Sequence, residues 1–219
     1  MYPRFRDRTE AGRVLAAALE PYAGRPNLHV LALPRGGVPV AFEVAMALRA
    51  PLDVLLVRKL GVPGHEELAM GAVASGGIRV LSNDVVRQLE ISERDVASVA
   101  AAEEQELRRQ ERLYRDDRPP ADVRGRTVIL VDDGLATGAT MRAAAAALKA
   151  QHPEWLVVAV PIGAAETCDF LRREVDDVVC ARTPEPFHAV GAWYEDFTQI
   201  TDEEVEALLR RAALQPARG

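Results

Sequence analysis

Aromatic residues are scarce in this chain: only 5% of its 219 residues are Phe, Trp or Tyr, so any place where they gather is informative. Cysteine is scarcer still. Cys168 and Cys180 have neither a metal-binding spacing nor the pattern of a disulfide framework, and each reads as a small buried side chain in or beside an apolar segment. No apolar run approaches the roughly 18 residues of a membrane span. Met1-Tyr2-Pro3-Arg4 carries a charge where a signal peptide needs an apolar stretch. The expected setting is therefore a reducing, cytoplasmic one. A net charge of -6 with no block of like charge argues against a nucleic-acid surface, so neither nucleic acid nor membrane is an expected partner.

What is present is an ordinary globular balance, 48% hydrophobic and 27% charged, long enough to bury a full core. Apolar runs alternate with helical patterns, which predicts an α/β fold: a mostly parallel central sheet in a three-layer α/β/α arrangement. Asp7-Arg8-Thr9-Glu10 reads as a capping box opening a helix to about Tyr22. Strands are expected over Leu28–Leu33 and Leu52–Val57, with a helix over Val38–Arg49 between them. From Lys59 to Asn83 glycines recur and short β-like pieces (Met70–Ala74, Ile78–Leu81) flank Gly76-Gly77, which reads as a hairpin leaving the main sheet. Ser92 and Asp95 can cap a long helix to Tyr114, with Ala100, Leu107 and Tyr114 inward. Glu104/Arg108 and Glu111/Arg115 pair on its wet side; Arg118-Pro119-Pro120 ends it. Strand Thr127–Val131, helix Thr140–Lys149, strand Trp155–Pro161, helix Ala165–Arg172 and strand Asp177–Cys180 complete the alternation. An aromatic loop and a helix from Thr201 to about Ala213 follow.

The most specific segment is Val128 to Thr140. A buried strand ends in Asp132-Asp133 and is followed by Gly134-Leu135-Ala136-Thr137-Gly138-Ala139-Thr140. In open parallel sheets ligands sit beyond the carboxyl ends of the strands. A turn of small residues running into a helix leaves backbone N–H groups free, with the helix dipole adding positive potential. Ala136, Thr137, Gly138, Ala139 and Thr140 thus read as a cradle for one phosphate. Two carboxylates beside such a cradle would repel the anion unless they have donors of their own, and ribose hydroxyls are such donors. A ribose 5-phosphate fits both halves, and Mg2+ nearby would relieve the repulsion.

The segment resembles the signature of type I phosphoribosyltransferases: hydrophobic strand, two acidic residues, then a small-residue loop ending in Thr-Gly-x-Thr. The wider chain, about residues 4–210, is similar to a group of bacterial predicted phosphoribosyltransferases through Leu33–Pro39, Arg58–Gly61 and Pro63–Val73. The resemblance implies binding of 5-phosphoribosyl-1-pyrophosphate (PRPP), with Asp132 and Asp133 as the catalytic pair on the ribose hydroxyls and the loop on the 5-phosphate. It implies transfer of the phosphoribosyl group to a nucleobase or amine, with Mg2+ arriving on the substrate rather than on protein ligands. Pyrophosphate is expected on Arg35, Gly36 and Gly37, with a cis peptide between Pro34 and Arg35, and on Arg58 and Lys59 at the end of the next strand. The core is expected over 1–183. Its excursion, about 60–82, is expected to act as a flexible catalytic loop carrying His65, Glu66 and Glu67; the alternative is a rigid hairpin serving as a subunit contact in a homodimer. Residues 184–219 then form a hood and terminal helix. Trp193 and Tyr194 are expected to face the acceptor and Phe197 the core, unless the aromatic stretch is simply a satellite core. Relatives acting on 6-oxopurines carry an aspartate where this chain has Ala136, which argues against hypoxanthine or guanine as acceptor. Three rivals remain: a non-catalytic PRPP-sensing module, a phosphorylase or hydrolase of a phosphoribosyl ligand, and a nucleotide hydrolase. The last would need a Gly-rich Lys-Ser/Thr loop that this sequence does not contain.

Overall fold

The computed structural model describes residues 2–115 and 119–214, apart from the side chains of Glu66 and Glu67. Arg118 therefore lies outside the described residues. Five parallel strands form the main sheet in the order β2-β1-β6-β7-β8: Leu52–Val54, Leu28–Ala32, Thr127–Val131, Trp155–Val160 and Asp177–Cys180. Alternate side chains divide the core in two. On one face Val30, Ala32, Ile129 and Val131 pack with helices α1 (Arg8–Ala18), α2 (Gly37–Leu48), α4 (Glu93–Arg115) and α7 (Asp202–Ala213). On the other, Leu31, Val128, Leu130 and Val158 pack with α5 (Ala139–Lys149) and α6 (Ala165–Leu171). This is the expected α/β/α sandwich. The chain builds β1, α2 and β2 toward one edge, then returns to the other side of β1 for β6, β7 and β8. The order therefore reverses between β1 and β6, where open sheets of this kind leave a crevice.

The excursion forms a separate antiparallel sheet of β3 (Val57–Val62), β4 (His65–Ala74) and β5 (Ile78–Leu81). Gly76 and Gly77 both take the left-handed conformation (φ +82° and +74°), which fits them to the tight β4–β5 turn. Leu60, Val62, Met70 and Val73 bury this sheet against Val96, Ala100 and Leu107 of α4. A short helix, α3 (Asn83–Gln88), joins β5 to α4 and was not anticipated.

Two expectations fail here. The run Leu52–Val57 is not one strand: β2 stops at Val54, and Ser75 bridges the break by bonding Leu56 through both its backbone N–H and its hydroxyl oxygen. Arg115 does pair with Glu111, at 3.5 Å, but not on the wet side of α4. It is 3% exposed, donates to the Val54 carbonyl and lies 3.3 Å from Asp53, whose other oxygen accepts from the Ala121 N–H at 3.2 Å. That buried cluster ties the end of β2 to the end of α4.

The C-terminal part is built into the whole. The Phe5 N–H donates to the Trp193 carbonyl and the Phe5 carbonyl accepts from the Glu195 N–H, both at 2.8 Å. α7 begins with a reciprocal cap between Thr201 and Glu204, and packs Val205 and Leu209 into the same core as α2 and α4. No helix among the described residues is long and apolar enough to cross a membrane.

Candidate functional site

At the point where the sheet order reverses, Ala32 of β1 is in register with Val131 of β6, and Leu33 N–H donates to the Val131 carbonyl at 2.9 Å. This register sets Pro34–Gly37 directly against Asp132 and Asp133. Pro34–Arg35 is a cis peptide, as the sequence led us to expect. The contact between the two loops is too close for any side chain at positions 36 and 37. A Cβ on Gly36 would overlap the Asp133 carboxylate, coming 2.8 Å from its Cγ; one on Gly37 would come 2.8 Å from the Val131 carbonyl oxygen. Both glycines are thus required by the acidic pair itself, in addition to any bound anion.

Asp132 accepts the Asp133 N–H at 2.8 Å. Burial, and then the neighbouring Asp133 charge, hold its carboxyl well above the usual carboxylate range. Burial also raises Asp133, but the Arg8 guanidinium opposes the shift. Arg8 Nε lies 2.8 Å from Asp133 Oδ2, and another guanidinium nitrogen donates to the Thr198 carbonyl at 2.8 Å. From above, the Tyr194 hydroxyl donates to the Asp133 carbonyl oxygen at 2.6 Å.

Downstream the chain turns sharply. Leu135 is tucked into the core and bonded to Ile162 and Ala164, while Gly134 lies so close to Val190 that a Cβ would overlap its side chain. Gly138 has φ +74° and backs onto Thr167, whose hydroxyl donates to the Ala136 carbonyl at 2.6 Å. The loop is braced from behind in this way. Ala136, Thr137, Ala139 and Thr140 are exposed, and no side chain caps the start of α5. The first N–H groups of a helix have no partner within it. An open ring of backbone donors with two hydroxyls at hand is suited to a phosphate.

The sequence matches the phosphoribosyl transferase domain family over residues 8–192. The chain belongs to the type I phosphoribosyltransferase family. It is 48% identical over 211 residues, 95% of its length, to two Mycobacterium tuberculosis proteins provisionally named phosphoribosyl transferases, and it spans about half (47%) of the length of these curated relatives. A Thermus thermophilus protein of solved structure is 46% identical, with a TM-score of 0.86 covering 95% of this chain and 98% of that one. A hypothetical protein from Neisseria gonorrhoeae, solved with bound ppGpp, is similar in fold alone: 15% identity and a TM-score of 0.51 over 96% and 98% of the two chains.

The other expected site positions of this family member are distributed less simply. Arg35 starts from the loop as expected, is 37% exposed, and has a guanidinium nitrogen 3.9 Å from Asp202, which also accepts the Tyr114 hydroxyl. Arg58 and Lys59 do not end a strand of the main sheet. They lie within β3, with Arg58 2.7 Å from Glu103 of α4 and Lys59 exposed. His65 is exposed at the start of β4, just past the Pro63-Gly64 turn; the side chains of Glu66 and Glu67 lie outside those described.

Burial runs against the expected sorting of Tyr194 and Phe197. Tyr194 is buried among Phe5, Ala11 and Ile162, and Trp193 is half-buried on the edge of the same cluster. Phe197 is 37% exposed and lies under the Arg8 guanidinium, 4.0 Å from it. The burial was decided by Phe5, which is remote in sequence. The cysteines also depart from expectation: Cys168 of α6 and Cys180 of β8, brought together by the αβ packing, form a disulfide. A cavity of about 760 Å3 between α1, α2, α7 and residues 196–201 is lined by Arg8 and Thr198 but by none of the cradle residues.

Arg8 escaped the sequence reading because its partner is 125 residues away. One signal was available: Arg8 follows the N-cap Asp7, in the first turn of α1, where the helix dipole disfavours a cation. A cation kept there has a partner elsewhere.

Proposed function

We propose that this chain binds PRPP with its Mg2+ and transfers the phosphoribosyl group to a nitrogenous acceptor, releasing pyrophosphate. The observation that supports this most is the single crevice between β1 and β6. There an acidic pair, a braced loop of exposed backbone donors and a glycine turn meet within one register of the sheet. In this reading Ala136–Thr140 holds the 5-phosphate, Asp132 and Asp133 accept from the ribose hydroxyls, and Arg35 with the Gly36–Gly37 backbone receives the pyrophosphate. Arg58 and Lys59 could join only from β3, across the excursion.

The C1–oxygen bond to pyrophosphate breaks as the acceptor nitrogen forms its bond to C1, so positive charge develops on the ribose. The protein orients the two partners and keeps water away. No group of three or more His, Cys, Asp or Glu among the described residues is arranged to hold a metal. We assign the ion to the substrate, where it would neutralise charge on the leaving group. The expected cytosolic setting is kept in the proposal, and in it the Cys168–Cys180 bond would be open.

The acceptor is narrowed by Ala136. Its exposed methyl cannot take a proton, and its carbonyl already accepts from Thr167. Pyrophosphate release should therefore be slower with hypoxanthine or guanine than with the best of adenine, uracil and orotate, or with an amine. The check is kcat/KM for each; hypoxanthine or guanine as the best substrate would show that another residue supplies the base.

The excursion is proposed as a lid, restricted by its packing. Leu60, Val62 and Met70 are buried, so opening there would expose core. Movement is assigned to the tip from Pro63 to Ala69, with His65, Glu66 and Glu67 closing over the ribose, as such covers do in microseconds to milliseconds. Hydrogen exchange across Gly64–Ala69 should be fast in the free protein and slow with PRPP and Mg2+. Full protection without ligand would leave the rigid hairpin, and with it a subunit contact, as the better reading.

A further inference from the structure

The acidic pair is served by a side chain from the opposite end of the chain. Arg8 is 8% exposed, a rare degree of burial for an arginine. Its guanidinium is fixed on three sides: Nε on Asp133 Oδ2, a terminal nitrogen on the Thr198 carbonyl, and its face over the Phe197 ring. Asp133 itself is enclosed by Arg8 from α1, Asp132 just past β6, Gly36 from the opposing loop and Tyr194 from the C-terminal part. Of these only Arg8 is a cation, and it engages only one of the two carboxylate oxygens.

We propose that Arg8 is a positioning residue for phosphoribosyl binding: by clamping one oxygen of Asp133, it presents the other oxygen to a ribose hydroxyl. The inference rests on the assignment of the acidic pair to ribose. Three consequences follow from the geometry. Arg8 acts through Asp133 and does not touch the ligand. Its contribution appears only for ligands that carry the ribose. A planar fork is needed to reach Asp133 and Thr198 together, so lysine, with the charge but not the fork, restores only part of it.

The alternative is that Arg8 merely ties α1 to the segment around Thr198. A tie of that kind would change stability, and all ligands alike. Titration calorimetry of PRPP and of pyrophosphate alone, each with Mg2+, separates the two for wild type, Arg8→Gln and Arg8→Lys. Arg8→Gln should weaken PRPP about tenfold or more and pyrophosphate less than about twofold, the scale of one charge-assisted hydrogen bond, with Arg8→Lys in between. Unchanged PRPP affinity, or equal losses for both ligands, would overturn the inference. If Arg8→Gln does not fold, Arg8→Lys decides on the same comparison, since a selective loss of PRPP supports the role and an equal loss removes it. Wild type that binds pyrophosphate but gains nothing from the ribose would overturn the site assignment first, and the role of Arg8 with it.

Discussion

Replacing Gly36 by alanine should uncouple the two halves of the site without undoing the fold. The backbone at Gly36 is ordinary (φ -60°, ψ -34°), so alanine meets no conformational barrier. Space is what it lacks. The new methyl would overlap the Asp133 carboxylate and approach Arg8 Nε to 3.4 Å. Something must give, and Val131 and Leu33, which carry the loops, are core residues held by the sheet. The carboxylate is the part that can move, away from both Arg8 and the crevice. Overpacking of this kind costs about 1–3 kcal/mol. Where that strain falls on Asp133, PRPP affinity should drop roughly tenfold to a hundredfold. Calorimetry on the variant, with a melting curve to confirm folding, makes the check; wild-type affinity for PRPP would mean that the contact between the two loops is irrelevant to ligand binding.

Much of this was legible in the sequence, for identifiable reasons. A strand buried on both faces reads as a continuous apolar run, so Thr127–Val131 was found to the residue, as was the short apolar edge strand Asp177–Cys180. The elements of the candidate cradle were legible because strand, acidic pair, glycine turn and helix start are consecutive in the chain. The same continuity misled at Val54-Leu55-Leu56-Val57, where an unbroken apolar run conceals the passage from one sheet to another and carries Arg58 and Lys59 with it. What the sequence could not reveal were pairings between distant segments. Arg8 with Asp133, Asp53 with Arg115, and Phe5 with Tyr194 each depend on the finished fold. The site's cation, and the sorting of Tyr194 from Phe197, lie in this class.

The direct test of the account is the binding of PRPP with Mg2+ to the wild-type protein and to the Asp132→Asn, Asp133→Asn double variant. At about 100 times its dissociation constant, a ligand specific for the folded state stabilises it by about 2.7 kcal/mol. Thermal unfolding of the wild type should reveal that gain with PRPP. Hydrogen bonds to ionised groups contribute about 1.5–3 kcal/mol each, so the double variant should bind PRPP at least roughly a hundredfold more weakly. Its affinity for pyrophosphate should hold or improve, because the variant carries no carboxylate beside the anion. Absence of any stabilisation in a folded wild-type sample would contradict the central claim, and equal losses of PRPP and pyrophosphate in the variant would show that the acidic pair does not hold the ribose.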